Sequence, residues 1–367
     1  MILRQDADLD TLRTVVREFL REDDIAAGTS GQPRWNPARW RRACTELGLA
    51  GVAEPDEFGG AGIGSAGLAI VLEEAGRVLS PLPILGSVVL AQGLLARAGD
   101  EAARADMLPA LLDGSRTATV ALGALRTDGA TAQALDATMR ARTWTISGFT
   151  SFVLDGDTAA WAFVRADTGD GPRLFAVDTD APGVSVQVQD SMDLTRTFAR
   201  LDFTDAPARP IAGPGTADTV LADLRDLLDV AVACEQLAGA EETLRMAVEH
   251  IKVRVQFGRT IGSFQAIKHR CADLAILVDD ARSALDHAVW ALHTRSPRLA
   301  SAASLAAIVC GRAFGDCARE NIHLHGGIGF TWEHPAHLYF RRATSDAALF
   351  TEGARHHDAV LAGASID

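Results

Sequence analysis

Lysine is nearly missing from this 367-residue chain: Lys252 and Lys268 are the only two, and arginine supplies almost all other positive charge. That reads as a high-GC coding bias and carries no mechanism. Positive charge is scarce altogether, with 35 Lys and Arg against 48 Asp and Glu for a net charge of -13. The global field therefore argues against nucleic acid or an anionic membrane as the main partner, and a polyanionic substrate needs a locally basic pocket. Long apolar runs are lacking too. The least polar stretch, Ala300–Cys310, is too short to span a bilayer, so membrane insertion is not expected. The beginning, Met1-Ile-Leu-Arg-Gln-Asp, enters a charged amphipathic helix and not an apolar signal core. The five cysteines (Cys44, Cys234, Cys271, Cys310, Cys317) have no C-x-x-C spacing. Buried, reduced thiols and a cytoplasmic location follow as expectations.

What is present divides into three regions. Up to residue 118, Leu12, Val16, Phe19 and Leu20 recur at helical spacing, as do Trp40, Cys44 and Leu47. A glycine-rich loop over 54–64 interrupts, and a helix is predicted from Leu68 to Leu79 with Glu73 and Glu74 on its polar side. Over 119–212 the pattern changes to short β-branched and aromatic runs, among them Thr143–Ile146, Ala160–Val164, Leu174–Val177 and Val184–Val188. Asp170-Gly171 signals a hairpin there. From 213 to 367 two long apolar stripes predict antiparallel bundle helices: Val230, Leu237, Leu244, Val248, Ile251 and Val255, then Ile267, Cys271, Leu274, Val278, Leu285 and Val289. A third helix passes through Leu299, Ala303, Ala306 and Cys310. The expected class is α+β and multidomain: N-terminal helices, a small barrel-like β domain and a four-helix bundle.

Some motifs lose their first reading in context. Gly62-Ile-Gly-Ser-Ala-Gly67 matches a dinucleotide-binding string, yet no strand precedes it and no βαβ unit follows, so a connecting loop is expected. His323, His325, His334 and His337 are close in sequence, but two glycines and a proline break the set, and no metal is expected. His356-His357 reads as a solvated helix start.

The stretch from Arg254 to Asp273 is the most specific. Arg254 and Phe257 stand one turn apart just before Gly258, at the end of a long helix. An Arg fork suits a diphosphate, and a ring suits the flat part of a nucleotide. Together with Gln265–Asp273 and His325-Gly-Gly-Ile-Gly-Phe330, this stretch resembles the acyl-CoA dehydrogenase family of flavoproteins, and the order of the three regions resembles its architecture. The resemblance implies FAD, held by Arg254, Phe257, Gln265, His323, Gly326 and Gly327 on behalf of a neighbouring subunit. His323 stands where the family usually has Gln. The resemblance also implies an oligomer, a homodimer, a homotetramer or an α2β2 assembly with a related subunit, and an electron-transfer acceptor. The subunit's own flavin half departs from the family: Val120–Gly129 lacks the Glu-Pro-x-Ala-Gly-Ser-Asp string, and Ser147–Phe152 matches the next strand pair only loosely.

The family reaction takes an α-proton from an acyl-CoA or acyl-carrier thioester with a carboxylate while a hydride leaves the β-carbon for flavin N5, giving a 2,3-enoyl thioester. Glu352, in Phe350-Thr-Glu-Gly-Ala354, resembles the loop that carries this base, although ungapped counting from Gly326-Gly327 puts Phe350 at that place. The family's other location, before Val230, offers Asp229 and Asp226. Two alternatives stay open: a base-poor partner subunit of a heteromeric dehydrogenase, and a flavin monooxygenase of the same fold.

Overall fold

A computed structural model describes residues 7–21, 35–121, 123, 135–213, 215–351 and 353–364. The N-terminal part holds α1 (Ala7–Leu20), α2 (Pro37–Leu47), α3 (Ser65–Arg77), a wide-turn π-helix (Ile84–Gln92) running into α4 (Gly93–Ala98), and α5 (Glu101–Leu112). Local chemistry sets the ends of α2. Asn36 accepts a hydrogen bond from the Arg39 N–H, Pro37 opens the first turn, and Gly48 closes the helix in the left-handed region. The glycine loop is a folding device, with no dinucleotide turn: a Cβ at Gly60 would sit 2.0 Å from the Glu54 carbonyl oxygen.

Seven strands follow: β1 (Ala118–Val120), β2 (Leu135–Arg140), β3 (Thr143–Leu154), β4 (Trp161–Thr168), β5 (Gly171–Asp178), β6 (Val184–Gln189) and β7 (Phe198–Pro210). β2 pairs with β3, β3 with β7, β7 with β5, β5 with β4 and β4 with β2, so the sheet closes on itself. The expected barrel is present. Its interior is a separate apolar cluster that includes Ile146, Val164, Phe175, Leu201 and Phe203. The β4–β5 hairpin is present, but its two turn residues are Gly169 and Asp170; Gly171 opens β5 opposite Thr168 with a positive φ of 106°.

The C-terminal part is helical: α6 (Ala217–Val253), α7 (Gln265–His293), α8 (Leu299–His325), α9 (Ala336–Leu349) and α10 (Gly353–Ala364). Helix α8 packs on all four others. By length and composition the segment Leu299–Phe330 is apolar enough to cross a membrane, which the shorter run Ala300–Cys310 did not suggest. In the fold its Ala303, Ala306, Cys310, Ala313 and Cys317 are fully buried against neighbouring helices. None of the five cysteines forms a disulfide, and four are buried. Helix α6 ends at Val253, so Val255 lies in no helical stripe and is exposed.

Glu73 and Glu74 correct the sequence reading. Both are 1% exposed and face inward. Helix spacing marked them as a polar face, but α1, α7 and α3 itself cover that face with arginines. Arg13 reaches Glu73 (3.0 Å) and Glu74 (2.9 Å), Arg17 reaches Glu74 (2.8 Å), and Arg282 lies 3.0 Å from Glu73. Burial raises the Glu74 pKa, but hydrogen bonding and charge from Arg17, Arg77 and Arg13 outweigh it and leave the group below its ordinary 4.5. A lowered folded-state pKa contributes stability that is complete above about 4.5 and lost as pH falls further. Glu74→Gln takes the ion-pair partner from Arg17 and one partner each from Arg13 and Arg77, and is expected to cost about 3 kcal/mol. Urea midpoints at pH 7 and pH 4 check this: the substitution should lower the first and flatten the difference between the two.

Candidate cofactor and active site

At one end of the bundle the structure brings together the residues that the sequence singled out for the cofactor. Helix α6 stops where Arg254 turns extended (φ −71°, ψ 122°), three residues earlier than Phe257. A tight hairpin follows, β8 (Val255–Gln256) and β9 (Arg259–Thr260). Its two turn residues, Phe257 (φ 55°) and Gly258 (φ 76°), are both left-handed, as a two-residue hairpin turn of this hand demands. Phe257 thus carries backbone strain and is 91% exposed. A bulky, exposed residue held in that region makes Phe257 a candidate functional position. Phe264 braces its ring edge-on with centroids 6.3 Å apart, and the Arg259 guanidinium lies 4.0 Å over Phe264. Among the described residues Arg254 has no hydrogen-bonded or ion-paired side-chain partner, so its fork is available.

The end of α8 adjoins this hairpin. The His250 and His325 rings are 4.2 Å apart, and Ile251 packs with Leu324, Ile261 and Ile267. Gly326 has φ 66° and ψ −140°, a combination reserved for glycine, and a Cβ built at Gly326 or Gly327 meets nothing within 4 Å. The turn is therefore open to close approach on the side where a Cβ would stand, while the Gly326 N–H itself is taken by the His323 and Ile322 carbonyls. His323, where the family has an amide, is exposed, and its Nδ1 lies 2.8 Å from Arg270 Nη1 and 3.3 Å from Glu320 Oε1. Gln265 starts α7 on the same end and is exposed. Beside these residues run two hollows of about 630 and 460 Å³ that share Arg319 and Phe340. The first reaches His323, Phe330 and Trp332, and the second reaches Gln236, Thr351 and Gly353. Phe257, Val253, Phe330 and Trp332 are all more than half exposed, an apolar surface of the kind that protein partners cover.

The acid positions lie elsewhere on α6. Glu352 is outside the described residues. Its neighbours on α10 approach Asp229, which takes both of its contacts from that side: Arg355 Nη2 lies 2.8 and 3.0 Å from the two carboxylate oxygens, and His356 Nε2 lies 3.2 Å from one of them. The first turn of α10 therefore lies against the α6 segment that carries Asp229. His356 is fully buried, not a solvated helix start; its place on α10 packs it directly onto α6. With its carboxylate occupied, Asp229 is poorly placed to take a substrate proton. Asp226, one turn earlier, is half-buried, and burial followed by the charge of Asp229 pushes it up to about 6. That is the range expected of a general base near neutrality.

A buried charge network, unsignalled in the sequence, joins barrel to bundle. Arg196 ion-pairs with Glu235 of α6 and Asp346 of α9, and Phe350 lies beneath its guanidinium at 5.5 Å. Arg342 donates to Asp193 (2.6 Å) and to the Thr195 hydroxyl. Burial pushes Asp346 up to about 6 and Asp155 up to about 7, against the pull of Arg196. Of the subunit's own flavin half, Leu122 and residues 124–134 lie outside the described residues. Ser147–Phe152 falls within β3, where register shifts against β7 bracket it.

Comparison with known proteins agrees with this arrangement. The model of the acyl-CoA dehydrogenase N-terminal domain matches residues 6–115, and that of the C-terminal domain matches residues 229–354. Acyl-CoA dehydrogenase IpdE2 of Mycobacterium tuberculosis is 36% identical over 93% of this chain and 91% of its own. Among solved structures, a steroid acyl-CoA dehydrogenase variant, Tcur3481-Tcur3483, is similar at 32% identity and TM-score 0.85, covering 98% of this chain and 99% of its own. The ChsE4-ChsE5 complex of Mycobacterium tuberculosis is similar at 27% identity and TM-score 0.87 over the full length of both chains. With both halves of the chain matched and a relative above 30% identity along nearly all of it, the chain belongs to the acyl-CoA dehydrogenase family.

Proposed function

We propose that this chain acts in the FAD-dependent α,β-dehydrogenation of an acyl-CoA thioester, at a seam that it shares with a second, related subunit. The observation that carries the reading is the open grip at the bundle end. A guanidinium without a side-chain partner among the described residues (Arg254), a strained and exposed ring (Phe257), an exposed imidazole (His323) and two glycines with open space where a Cβ would stand (Gly326, Gly327) are grouped there. These features suit a dinucleotide. The Arg fork pairs with a diphosphate, the glycines permit close backbone approach, and the ring covers a flat heterocycle. Bound there, FAD supplies the hydride acceptor.

Two observations favour an unlike partner over a second copy. The relatives of similar length include two-chain assemblies, Tcur3481-Tcur3483 and ChsE4-ChsE5. Where the family base is expected, this chain has Asp229 committed to Arg355 and His356. Glu352 is the base we assign to this chain if it turns over alone, with Asp226 next and Asp229 after it. The steroid thioester named for Tcur3481-Tcur3483 is the substrate class to try first. A flavin monooxygenase is the remaining reading; it would consume oxygen with a reduced-flavin donor and leave saturated thioesters untouched.

The chain purified alone is expected to carry little flavin, and co-expression with the related subunit should restore the yellow spectrum. Bleaching of that spectrum by an acyl-CoA under anaerobic conditions identifies the reaction. A chain that is yellow and bleached on its own overturns the partner requirement. In the assembled protein, Arg254→Ala should weaken FAD binding by about 10- to 100-fold, because it removes a charge-assisted pair to the diphosphate. Equilibrium dialysis reads this directly.

Single substitutions separate the acids. If Glu352 is the base, Glu352→Gln lowers kcat by about 10²-fold or more while FAD stays bound. If Asp226 is the base, Asp226→Asn has that effect instead, and the kcat profile loses its acid limb near pH 6. If neither changes turnover, the base belongs to the other subunit.

A further inference from the structure

Three imidazoles, two from helices and one from the loop before α9, meet behind the grip. His250 lies in the last turns of α6, His325 ends α8, and His334 precedes α9. The His250 and His325 rings are 4.2 Å apart at 32°, and the His325 and His334 rings are 4.2 Å apart at 43°. Both neighbours of the grip hang directly on this stack. The Arg254 N–H donates to the His250 carbonyl (2.9 Å), and Gly326 follows His325 in the chain. Hydrogen bonds fix two of the rings. His325 Nδ1 donates to the Asn321 carbonyl (2.8 Å), and His334 Nδ1 accepts from the Ala336 N–H (3.2 Å).

We propose that His325 and His334 are positioning residues. With His250 they form an uncharged post that holds Arg254 and the Gly326–Gly327 turn at one spacing, and protonation of the post loosens the grip on the dinucleotide. The inference rests on the reading that this grip holds FAD. Stacking at this distance is tolerable for neutral rings and repulsive once two of them carry protons. The charged groups facing the stack give no relief. Arg254 comes from α6 and His337 from α9, and no carboxylate is among the groups that perturb His250 and His334. Burial, then His325, His250 and His337, push His334 down to about 4; burial, then His325 and Arg254, lower His250. A histidine pKa lowered by folding means that the contact is complete above the ordinary 6.5 and is lost as pH falls from there to about 4.

His334→Asn tests the idea, because an amide oxygen can still accept from the Ala336 N–H but cannot gain a proton. In the flavin-loaded assembly, FAD affinity of the wild type should fall by about tenfold between pH 7.5 and 5.0. In the variant it should fall by less than threefold. Equal losses in both proteins, or a flat wild-type profile, overturn the proposal. Backbone hydrogen exchange over 250–258 and 322–330, corrected for intrinsic rate, gives a readout independent of cofactor. Protection should drop at pH 5.0 in the wild type and persist in the variant; unchanged wild-type protection overturns the post. An assembly that shows the exchange pattern but binds FAD elsewhere would support the post and sink the flavin reading of the grip.

Discussion

Burial of α6 around its whole circumference constrains everything else. From Leu227 to Ala240 every residue of that helix is buried, so its few charged groups have no access to bulk water. Each needs a partner from another element, since an unpaired buried charge costs several kcal/mol. Glu235 takes Arg196 from the barrel, and Asp229 takes Arg355 and His356 from α10. The helix therefore acts as an assembly jig: it packs only if the barrel and the last helix arrive in one register. Such pairs add little net stability compared with a well-packed apolar core, and their value here lies in fixing which surfaces meet.

The same helix separates two chemistries by its length. The acids sit near its first turns, and Arg254 caps its far end. Asp226 and Arg254 are 28 residues apart, about 42 Å along this helix, so one copy of α6 does not bring both to one small cofactor. A dinucleotide held by Arg254 is then out of reach of Asp226 in the same chain. That separation, and not any single contact, gives the physical case for a shared site.

Much of the fold was legible because burial leaves a period in the sequence. The stripe of Leu274, Leu285 and Val289 on α7 and that of Ala303, Ala306 and Cys310 on α8 are buried as their spacing predicts, and alternation marked the barrel strands. Periodicity identifies a face but not what covers it. Glu73 and Glu74 read as solvent-facing because the arginines that cover them lie about 60 and 200 residues away. His356 failed for the same reason, its partner being 127 positions back. The helix end near Arg254 was misplaced because Val255 and Phe257 continue an apolar pattern, while Phe257-Gly258 forces a hairpin turn that overrides it.

The candidate site was legible in its grip and obscure in its acid. Grip residues are recognisable because each has an intrinsic property that survives outside the fold: a planar cation, a ring, a missing Cβ. A base has no such mark, since any carboxylate becomes one when burial and a neighbouring charge raise its pKa. Asp226 acquires that property from packing and from Asp229, while Asp229, three residues on, loses its availability to Arg355. Identical side chains on one helix thus differ in their surroundings, Asp226 raised by burial and Asp229 bound by Arg355. The difference resides in what α10 brings to the helix surface, which is information held by the tertiary structure and absent from the local string.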